Sequence, residues 1–293
     1  MHGLGNDFVV LDGRNAGFDV LPYAQVIADR RFGVGCDQLI IAREPSVATP
    51  AYDARMEIVN ADGSVVEMCG NGIRCFARWL YDHVGLHRET YQIETLAGRI
   101  RPTLLAEGQL RVAMGPATTV AGQLPANPAY FAADSDLTRA TLEVDGHSWQ
   151  FCGVQVGNPH FITLVDDVEA VDLARIGPQI ERHPAFPKRI NVEFVQRTSQ
   201  GARVRVWERG SGITMACGTG ATAVGAALFR LGLHSGPARI DLPGGSLLIE
   251  EISGEMYMTG PATEVFSGTL VEAELKIALA ALRASQTIPQ AQD

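Results

Sequence analysis

Two cysteines lie in near-identical settings at two distant places in the sequence. Cys69 and Cys217 are each followed by a Gly-x-Gly step that opens a predicted helix. Asn60 and Glu208 each lie nine residues before their cysteine. One thiol at the same place in each half of a duplicated chain can supply an acid/base group to each face of one carbon. Such a pair suits a reaction in which a proton leaves one face of a carbon and another arrives on the opposite face.

A cysteine directly before a helix is well placed for this chemistry. The unpaired N–H groups and the dipole at a helix N-terminus stabilise negative charge, so we expect both thiols to be shifted toward thiolate. Glycines leave the backbone amides open to an anion such as a substrate carboxylate. Alternatively, each cysteine is a small buried hydrophobic residue. The shared register and the repeated Gly-x-Gly setting favour the catalytic interpretation.

Further motifs repeat in the same order, which indicates an internal duplication. Gly-Asn-Asp-Phe at 5–8 returns as Gly-Asn-Pro-His-Phe at 157–161, and the stretch 98–117 returns at 245–262. We therefore predict two similar domains. The first comprises residues 1–117 plus 263–293 and carries Cys69, and the second comprises residues 118–262 and carries Cys217.

The elements that must position the cysteines follow from local patterns and indicate a mixed α/β (α+β) fold. A helix over 71–83 is predicted with Asn71 as its N-cap. The helix predicted from Thr219 is apolar on nearly all faces, so it must be buried. The remaining predictions are strands at 8–11, 39–42, 55–59, 65–66 and 203–207, a helix at 22–31, hairpins at 107–108 and 253–254, and an amphipathic helix after 273 that fades into a polar terminus at 286–293.

Composition and charge narrow the classes of protein. With 293 residues and 46% hydrophobic content, the chain can form two sizeable cores. Neither a long apolar run nor a signal-like N-terminus is present, so no membrane span and no secretory signal are expected. The net charge of −9 argues against nucleic-acid or anionic-membrane partners. Five cysteines without metal-type spacing indicate thiols in a reducing cytoplasm and no metal site.

The sequence predicts no cofactor. Schiff-base chemistry with pyridoxal phosphate requires a lysine, and the chain has only Lys188 and Lys276, neither in a repeated or Gly-rich setting. The Gly-x-Gly steps lack both the full dinucleotide fingerprint and the Gly-Lys-Ser/Thr of a P-loop, so a phosphate-binding interpretation is weak.

Taken together, these motifs resemble the diaminopimelate epimerase family over about residues 1–270. The residues that carry the resemblance are Met-His-Gly-Leu-Gly-Asn-Asp-Phe at 1–8, Asn-Ala-Asp-Gly-Ser at 60–64, Cys-Gly-Asn-Gly at 69–72, Gly-Asn-Pro-His at 157–160, and Glu-Arg-Gly at 208–210 followed by Ala-Cys-Gly at 216–218. The resemblance implies cofactor-independent interconversion of LL- and meso-2,6-diaminopimelate in lysine and cell-wall precursor synthesis. It also implies two similar domains, each a strand barrel around a central helix, with the active site at their interface.

The resemblance assigns roles to individual positions. Cys69 and Cys217 are the implied acid/base pair, and His160 and Glu208 the residues that tune their pKa values. The implied substrate-binding residues are Asn6, Gln38, Asn60, Gly70, Asn71, Asn158, Asn191, Glu208, Arg209, Gly218 and Thr219. Arg209 suits bidentate capture of the distal carboxylate of the substrate. A tyrosine that the family uses in dimer formation falls at Phe266, so a homodimer would rely there on aromatic packing.

Ordinary structural roles remain open for several of these residues. The three asparagines Asn6, Asn60 and Asn158 could be turn residues, Gln38 a solvated strand end, His160 a core histidine and Arg209 a surface charge. Cys36, Cys75 and Cys152 are interpreted as structural.

Three other functions stay open on the residues alone. The same apparatus could racemise another amino acid without pyridoxal phosphate. The cysteine pair could instead serve a dithiol redox protein, or the chain could be a non-catalytic amino-acid binding module. For the epimerase, the racemase and the binding module the expected partner is a small amino-acid molecule, whereas a dithiol redox protein would act on partner proteins.

Overall fold

A computed structural model describes residues 1–14, 18–47 and 52–286. The chain divides into two compact units, Met1–Leu104 with Ala262–Asp293, and Leu105–Pro261. The division falls before the predicted boundary at 117, because the strand Leu110–Gly115 pairs with Glu255–Gly260 of the second unit. That the two units are domains related by duplication stays a prediction, and the predicted polar terminus at 287–293 lies outside the described residues.

The helices and strands are numbered in chain order. The strands are β1 (His2–Gly3), β2 (Asn6–Asp12), β3 (Gln38–Arg43), β4 (Ala54–Asn60), β5 (Val65–Val66), β6 (Ile93–Thr95), β7 (Gly98–Ile100), β8 (Pro102–Leu104), β9 (Leu110–Gly115), β10 (Ala140–Val144), β11 (His147–Val156), β12 (Asn158–Leu164), β13 (Asn191–Thr198), β14 (Gly201–Glu208), β15 (Gly212–Ile213), β16 (Ala238–Leu242), β17 (Gly245–Ile252) and β18 (Glu255–Gly260). The helices are α1 (Ala24–Ala28), α2 (Gly70–His83), α3 (Leu173–Glu181), α4 (Gly218–Arg230) and α5 (Glu272–Gln286).

In the first unit a mixed sheet supports α2. Its strand order is β1-β2-β3-β4-β6-β7, with β5 paired to β4, and the β2–β3 and β4–β6 pairs are parallel. Successive residues of β3 point to opposite faces. Leu39 and Ile41 pack with α1 and with Leu275 of α5 on one face. Ile40 faces the start of α2, where a side chain added at Gly72 would lie 3.2 Å from its Cδ1 atom. The sheet therefore holds the first turn of α2 in place.

In the second unit a curled sheet encloses α4. The strand order is β10-β11-β12-β13-β14-β16-β17-β18-β9, with β12–β13 and β14–β16 parallel. Helix α4 packs against β11–β14 and β16–β18 of this one sheet, so the sheet must curve around it. A Cβ atom at Gly225 would lie 2.5 Å from Cγ2 of Ile249, so only glycine permits this close approach of helix and strand. The predicted all-round burial of this helix is confirmed.

The alternation of side chains along β12 and β13 assigns residues to the two faces of the sheet. Phe161, Val192 and Phe194 belong to a core that also contains Leu173 and Ile176 of α3. The intervening residues point to the opposite face, toward α4. His160 of β12 and Glu193 of β13 both lie on that second face. The fold thus places two buried polar residues beside the helix that begins after Cys217.

The mixed α+β fold class predicted from the sequence is confirmed. The predicted N-cap of α2 is wrong, because the extended residue before the helix is Cys69, with φ −136° and ψ 119°, and not Asn71. The predicted helix at 22–31 is a 3₁₀ turn at Leu21–Tyr23 followed by α1, which ends where Asp29 turns extended with ψ 124°. Across the part of the chain that the structure describes, no helix has both the length and the apolar character needed to cross a bilayer.

Candidate active site

Cys69 is the N-cap of α2. Its Sγ atom accepts a hydrogen bond from the backbone N–H of Gly72 at 3.4 Å. The same sulfur lies 3.7 Å from Oδ1 of Asn6, and the thiol is partly accessible to solvent. A sulfur in the position of a helix cap faces the backbone amides of the first turn, which favour an anion. Cys69 therefore has the local surroundings that a thiolate base requires.

Beneath Cys69 the first turn of α2 is fixed by a buried arginine. The guanidinium of Arg74, which is 0% exposed, donates to the carbonyl oxygen of Gly70 and to Oδ1 of Asn71, both at 3.0 Å. Asn71 in turn donates from Nδ2 to Oδ1 of Asn6 at 3.4 Å. These bonds connect a buried cation to two predicted substrate-binding asparagines. Burial lowers the pKa of the Arg74 guanidinium, and charge on Cys69 and Cys75 opposes that change.

A second pair of predicted binding residues faces one another across β3 and β4. Gln38 and Asn60 are partners in the strand register, and Nε2 of Gln38 donates to Oδ1 of Asn60 at 2.8 Å. Nδ2 of Asn60 donates to Oγ of Ser64 at 2.9 Å. Among the described residues, the buried Oε1 atom of Gln38 has no hydrogen-bond partner. Since buried polar atoms are nearly always paired, this oxygen is suited to accept a bond from a ligand.

Cys217 is the N-cap of α4 and repeats the arrangement of Cys69. Its Sγ atom accepts from the backbone N–H of Gly220 at 3.3 Å and lies 3.5 Å from Oγ1 of Thr219. The residue is only 6% exposed. Burial raises the pKa of this thiol well above its usual value, and the negative charges of Glu208 and Glu193 add to the effect.

The expected shift of Cys217 toward thiolate is therefore wrong. A helix N-terminus contributes about 0.3–1 kcal/mol to an anion, whereas removing a charge from water costs several kcal/mol. Two nearby carboxylates oppose ionisation as well. Cys217 thus rests as the thiol, which is the form that donates a proton.

His160 lies fully buried between two oxygens. Its Nδ1 atom is 2.7 Å from Oε1 of Glu193, and its Nε2 atom is 2.7 Å from Oδ1 of Asn158. A neutral imidazole can donate to only one of these oxygens, whereas an imidazolium donates to both. The ring is therefore part of a polar network and is more than a core histidine.

Glu208 approaches Cys217 from the end of β14. Its Oε1 atom accepts from Oγ1 of Thr214 at 2.5 Å, and the carboxyl group is also hydrogen bonded to Cys217. Burial raises the pKa of Glu208, and the charge of Glu193 acts in the same direction. A carboxyl group in this setting can hold a proton at higher pH than an exposed one.

Asn191 connects the strands to the loop that carries Arg209. The amide Nδ2 of Asn191 donates to the carbonyl oxygen of Pro159 at 3.1 Å, and its Oδ1 atom accepts from the backbone N–H of Arg209 at 2.8 Å. Nη1 of Arg209 donates to the carbonyl oxygen of Lys188 at 3.2 Å, and the side chain is otherwise exposed. The guanidinium therefore remains accessible to an anionic group of a ligand.

The predicted site residues divide into one group in each unit. The first unit holds Asn6, Gln38, Asn60, Cys69, Gly70 and Asn71, and the second holds Asn158, His160, Asn191, Glu208, Arg209, Cys217, Gly218 and Thr219. Phe266 of the first unit is 65% exposed and belongs to neither group. Within the described residues, no cluster of three or more His, Cys, Asp or Glu side chains is arranged to hold a metal ion.

Two charged residues that border these groups, Glu193 and Arg74, were not predicted from the sequence. Each is 0% exposed. Each also interrupts an apolar stretch, Ile-Asn-Val-Glu-Phe-Val around Glu193 and Ile-Arg-Cys-Phe around Arg74. Charged residues are rarely buried without a partner, so a single charge inside an apolar pattern was the available signal.

Comparison with known sequences identifies the family. The family model described as diaminopimelate epimerase matches residues 1–120 and 152–265. The chain belongs to the diaminopimelate epimerase family. The diaminopimelate epimerase of Nostoc punctiforme is 47% identical over 276 residues, which cover 92% of this chain and 97% of the relative. That of Thioalkalivibrio sulfidiphilus is 44% identical over 275 residues, covering 92% and 97%.

More distant solved structures share the fold of this diaminopimelate epimerase family member. A probable proline racemase from Agrobacterium radiobacter superposes with a TM-score of 0.65 at 15% identity, over 95% of this chain and 94% of the racemase. A methylitaconate-delta-isomerase superposes with a TM-score of 0.58 at 14% identity, over 100% and 96%. At such identities the likeness supports the fold alone. As a family member the chain is an isomerase.

Cys69 is expected to react with iodoacetamide faster than the buried thiols of Cys36, Cys75 and Cys152. Burial raises the pKa of Cys36 to about 11 and the pKa values of Cys75 and Cys152 to about 12. A thiol with a pKa of 12 is only about one part in 10⁴ thiolate at about pH 8, and only the thiolate reacts. Peptide mapping by mass spectrometry should show Cys69 modified at least about tenfold faster than these three. Equal labelling of all sites would contradict this prediction.

Glycine at position 220 is required by the site. A Cβ atom there would lie 2.7 Å from Oε1 of Glu193 and 3.2 Å from Sγ of Cys217. In Gly220→Ala we expect kcat to fall by about 10²-fold, because displacement of a reacting group by about 1 Å costs this much. The matched control is Gly72→Ala on α2, where the nearest contact is 3.2 Å, to the flexible end of Ile40. Equal steady-state kinetics of the two variants would refute the prediction.

Proposed function

We propose that this chain interconverts LL- and meso-2,6-diaminopimelate without a cofactor, by proton transfer between the α-carbon and two cysteines. The observation that carries the proposal is the pair of helices capped by a cysteine, α2 by Cys69 and α4 by Cys217, in a member of the diaminopimelate epimerase family. Each cap offers a sulfur that already accepts a backbone amide. The proposed pathway context is lysine and peptidoglycan precursor synthesis.

In the proposed mechanism one sulfur removes the α-proton as thiolate while the other delivers a proton from the opposite face as thiol. The surroundings of the two cysteines support a division of roles in the free enzyme. Cys69 lies near the buried cation of Arg74, whereas Cys217 lies near the carboxyl groups of Glu208 and Glu193. Cys69 is then the base of the resting enzyme and Cys217 the acid. After turnover the two protonation states are exchanged.

The cysteines alone cannot account for catalysis at so weak a carbon acid. A positioned acid or base contributes roughly 10²–10⁴-fold, about 3–6 kcal/mol. We infer that the rest comes from backbone N–H groups of Gly70, Asn71, Gly218 and Thr219, aimed at the substrate carboxylate as charge develops on it. The first amides of each helix point out of its N-terminus, toward the position that an anionic group would occupy.

Recognition of the second amino-acid head of the substrate is assigned to polar residues beside the cysteines. Arg209 offers a planar, accessible guanidinium that suits the distal carboxylate. Asn191 fixes the backbone of Arg209, and the unpaired oxygen of Gln38 can accept a bond from an ammonium group. A substrate with one carboxylate would leave this second set of contacts unused. This favours diaminopimelate over a monocarboxylic amino acid.

The test is a proton-NMR time course with LL-diaminopimelate in deuterated buffer. We expect the α-proton signal to disappear as deuterium is incorporated and the meso isomer to accumulate, and both processes to stop after thiol alkylation. Turnover of monocarboxylic amino acids at comparable rates would contradict the assigned substrate. Absence of deuterium incorporation would contradict the chemistry.

We further infer that the protein acts in the cytoplasm, where its thiols remain reduced, and that it forms a homodimer. Phe266 is 65% exposed in a segment that also exposes Val265, an arrangement suited to aromatic packing with a second copy. Sedimentation analysis of the protein and of Phe266→Ser tests this inference. A monomeric wild-type protein at micromolar concentration would contradict it.

A further inference from the structure

Glu193 is a fully buried carboxyl group that the proposed mechanism has not yet used. It lies on β13, where Val192 and Phe194 point into the core beneath α3. Because side chains alternate along a strand, Glu193 points to the opposite face, toward α4. It is 0% exposed, and an acidic side chain is rarely so deeply buried without a function or a charged partner.

The two carboxyl oxygens of Glu193 have different surroundings. Oε1 lies 2.7 Å from Nδ1 of His160. Oε2 is buried and, among the residues that the structure describes, has no hydrogen-bond partner. An unpaired buried carboxylate oxygen destabilises the fold, and a residue with a purely structural role would not require one. This side chain is therefore a candidate for a role in proton transfer.

The same carboxyl group also borders Cys217. A single point, the Cβ position of a side chain at residue 220, lies 2.7 Å from Oε1 of Glu193 and 3.2 Å from Sγ of Cys217. The oxygen and the sulfur thus flank one small space at the start of α4. Glu193 contacts His160 on one side and lies next to the thiol on the other.

Other charged groups act on Cys217, and their positions distinguish their roles. Glu208 reaches the thiol from β14 and is hydrogen bonded to Thr214. From its own helix the sulfur accepts a hydrogen bond from the Gly220 amide and lies 3.5 Å from Oγ1 of Thr219. The hydrogen bonds of the His160 ring described above go to Glu193 and Asn158. Glu193 therefore connects the His160 ring to the space beside the thiol.

We propose that Glu193 is a positioning residue for proton transfer at Cys217, which orients His160 through its Nδ1 atom and couples that ring to the thiol. This inference rests on the proposed function, because it assumes that Cys217 is one of the two acid/base groups. The negative charge of Glu193 keeps Cys217 protonated in the free enzyme. The hydrogen bond to His160 offsets that charge when Cys217 is required as thiolate.

The decisive experiment compares Glu193→Gln with Glu193→Asp in the full chain. Glutamine has the same shape without the charge, whereas aspartate keeps the charge. Removing a like charge beside a thiol lowers its pKa. We expect iodoacetamide to modify Cys217 about tenfold faster in Glu193→Gln than in wild type at about pH 8.5, and Glu193→Asp to restore a rate near that of wild type.

Two controls separate charge from loosening of the fold. Glu251→Gln makes the same change of charge in the same unit, at an ion pair with Arg230 at the far end of α4. It should leave the rate at Cys217 unchanged. The buried Cys152 reports general loosening and should react equally slowly in every variant. An unchanged Cys217 rate in Glu193→Gln, or an equally fast rate in Glu193→Asp, would overturn the proposal.

A measurement on the wild-type protein covers the case in which Glu193→Gln does not fold. With ¹⁵N-labelled histidine, NMR should show His160 carrying a proton on Nδ1, directed at Glu193. Modification of Cys217 should then shift the His160 nitrogen resonances more than those of His234. A ring protonated only on Nε2, or resonances that do not respond, would overturn the coupling.

Failure of this inference can be distinguished from failure of the proposed function. If the wild-type protein incorporates deuterium into diaminopimelate but Glu193→Gln leaves the alkylation rate of Cys217 unchanged, only the proposed role of Glu193 is contradicted. Absence of deuterium incorporation contradicts the proposed function. The coupling of His160 to Cys217 through Glu193 would then have no bearing on catalysis, whatever the alkylation rates.

Discussion

Cys217→Ala is expected to lower kcat for epimerisation by roughly 10³–10⁴-fold in both directions, because it removes one of two obligatory proton carriers. The thiol is the proton donor of one direction and, after exchange of protonation states, the base of the other. Loss of the sulfur also removes the cap at Gly220, at a cost of about 1 kcal/mol in helix stability. The measurement is the initial rate from each isomer, with far-ultraviolet circular dichroism to verify folding.

Cys152→Ala is the matched control for this experiment. Cys152 lies on β11 in the same unit, is 2% exposed, and has no assigned role in catalysis. The kcat of Cys152→Ala should stay within about twofold of the wild-type value, although the cavity left by the sulfur lowers the stability of the fold. Full activity of Cys217→Ala, or an equal loss in both variants, would show that Cys217 is not an acid/base group.

The second large effect is expected at Arg209. Replacement by methionine removes the guanidinium proposed to bind the distal carboxylate and keeps much of the aliphatic length. A charge-assisted, bidentate pair contributes about 1.5–3 kcal/mol, so kcat/KM should fall by roughly 10–10²-fold, mainly through KM. The kcat/KM of Arg209→Lys should lie between that of wild type and that of Arg209→Met, since lysine keeps the charge but loses the planar fork.

Arg203→Met tests whether any loss of positive charge on the same strand has this effect. Arg203 is an exposed residue of β14, the strand that ends at Glu208. Its kinetics with diaminopimelate should match those of wild type. An unchanged KM in Arg209→Met would contradict the assigned role of this residue and would direct attention to other cations of the unit.

The sequence predicted the general form of the fold because duplication and local patterns agree. The Gly-x-Gly steps after the cysteines marked both helix starts, and the all-round apolar pattern after Thr219 predicted the enclosure of α4. The N-cap of α2 was misplaced at Asn71, since asparagine is the more usual cap and cysteine is uncommon there. N-cap propensity therefore predicted the wrong residue, because in the structure the sulfur of Cys69 accepts the backbone N–H of Gly72 in the capping position.

Other features depended on which face of a strand meets the helix, and the sequence does not specify that. Glu193 is one residue away from Val192 and Phe194 in the chain, yet it lies on the opposite side of the sheet. The protonation of Cys217 was also beyond prediction. The expected benefit of the helix N-terminus was outweighed by burial and two carboxyl groups that only the tertiary fold brings near.

The enclosure of α4 has a consequence for how a ligand can enter. A helix held by strands on so many sides cannot shift or tilt without disrupting β11–β14 and β16–β18 together. Cys217 is therefore mounted on the least movable element of its unit. The adjoining segment is held as well, since Gly212–Ile213 of β15 pairs with β14 and the backbone N–H of Arg209 donates to Oδ1 of Asn191. The sulfur therefore keeps a fixed position within its unit, and the reacting carbon of a ligand must be brought to it.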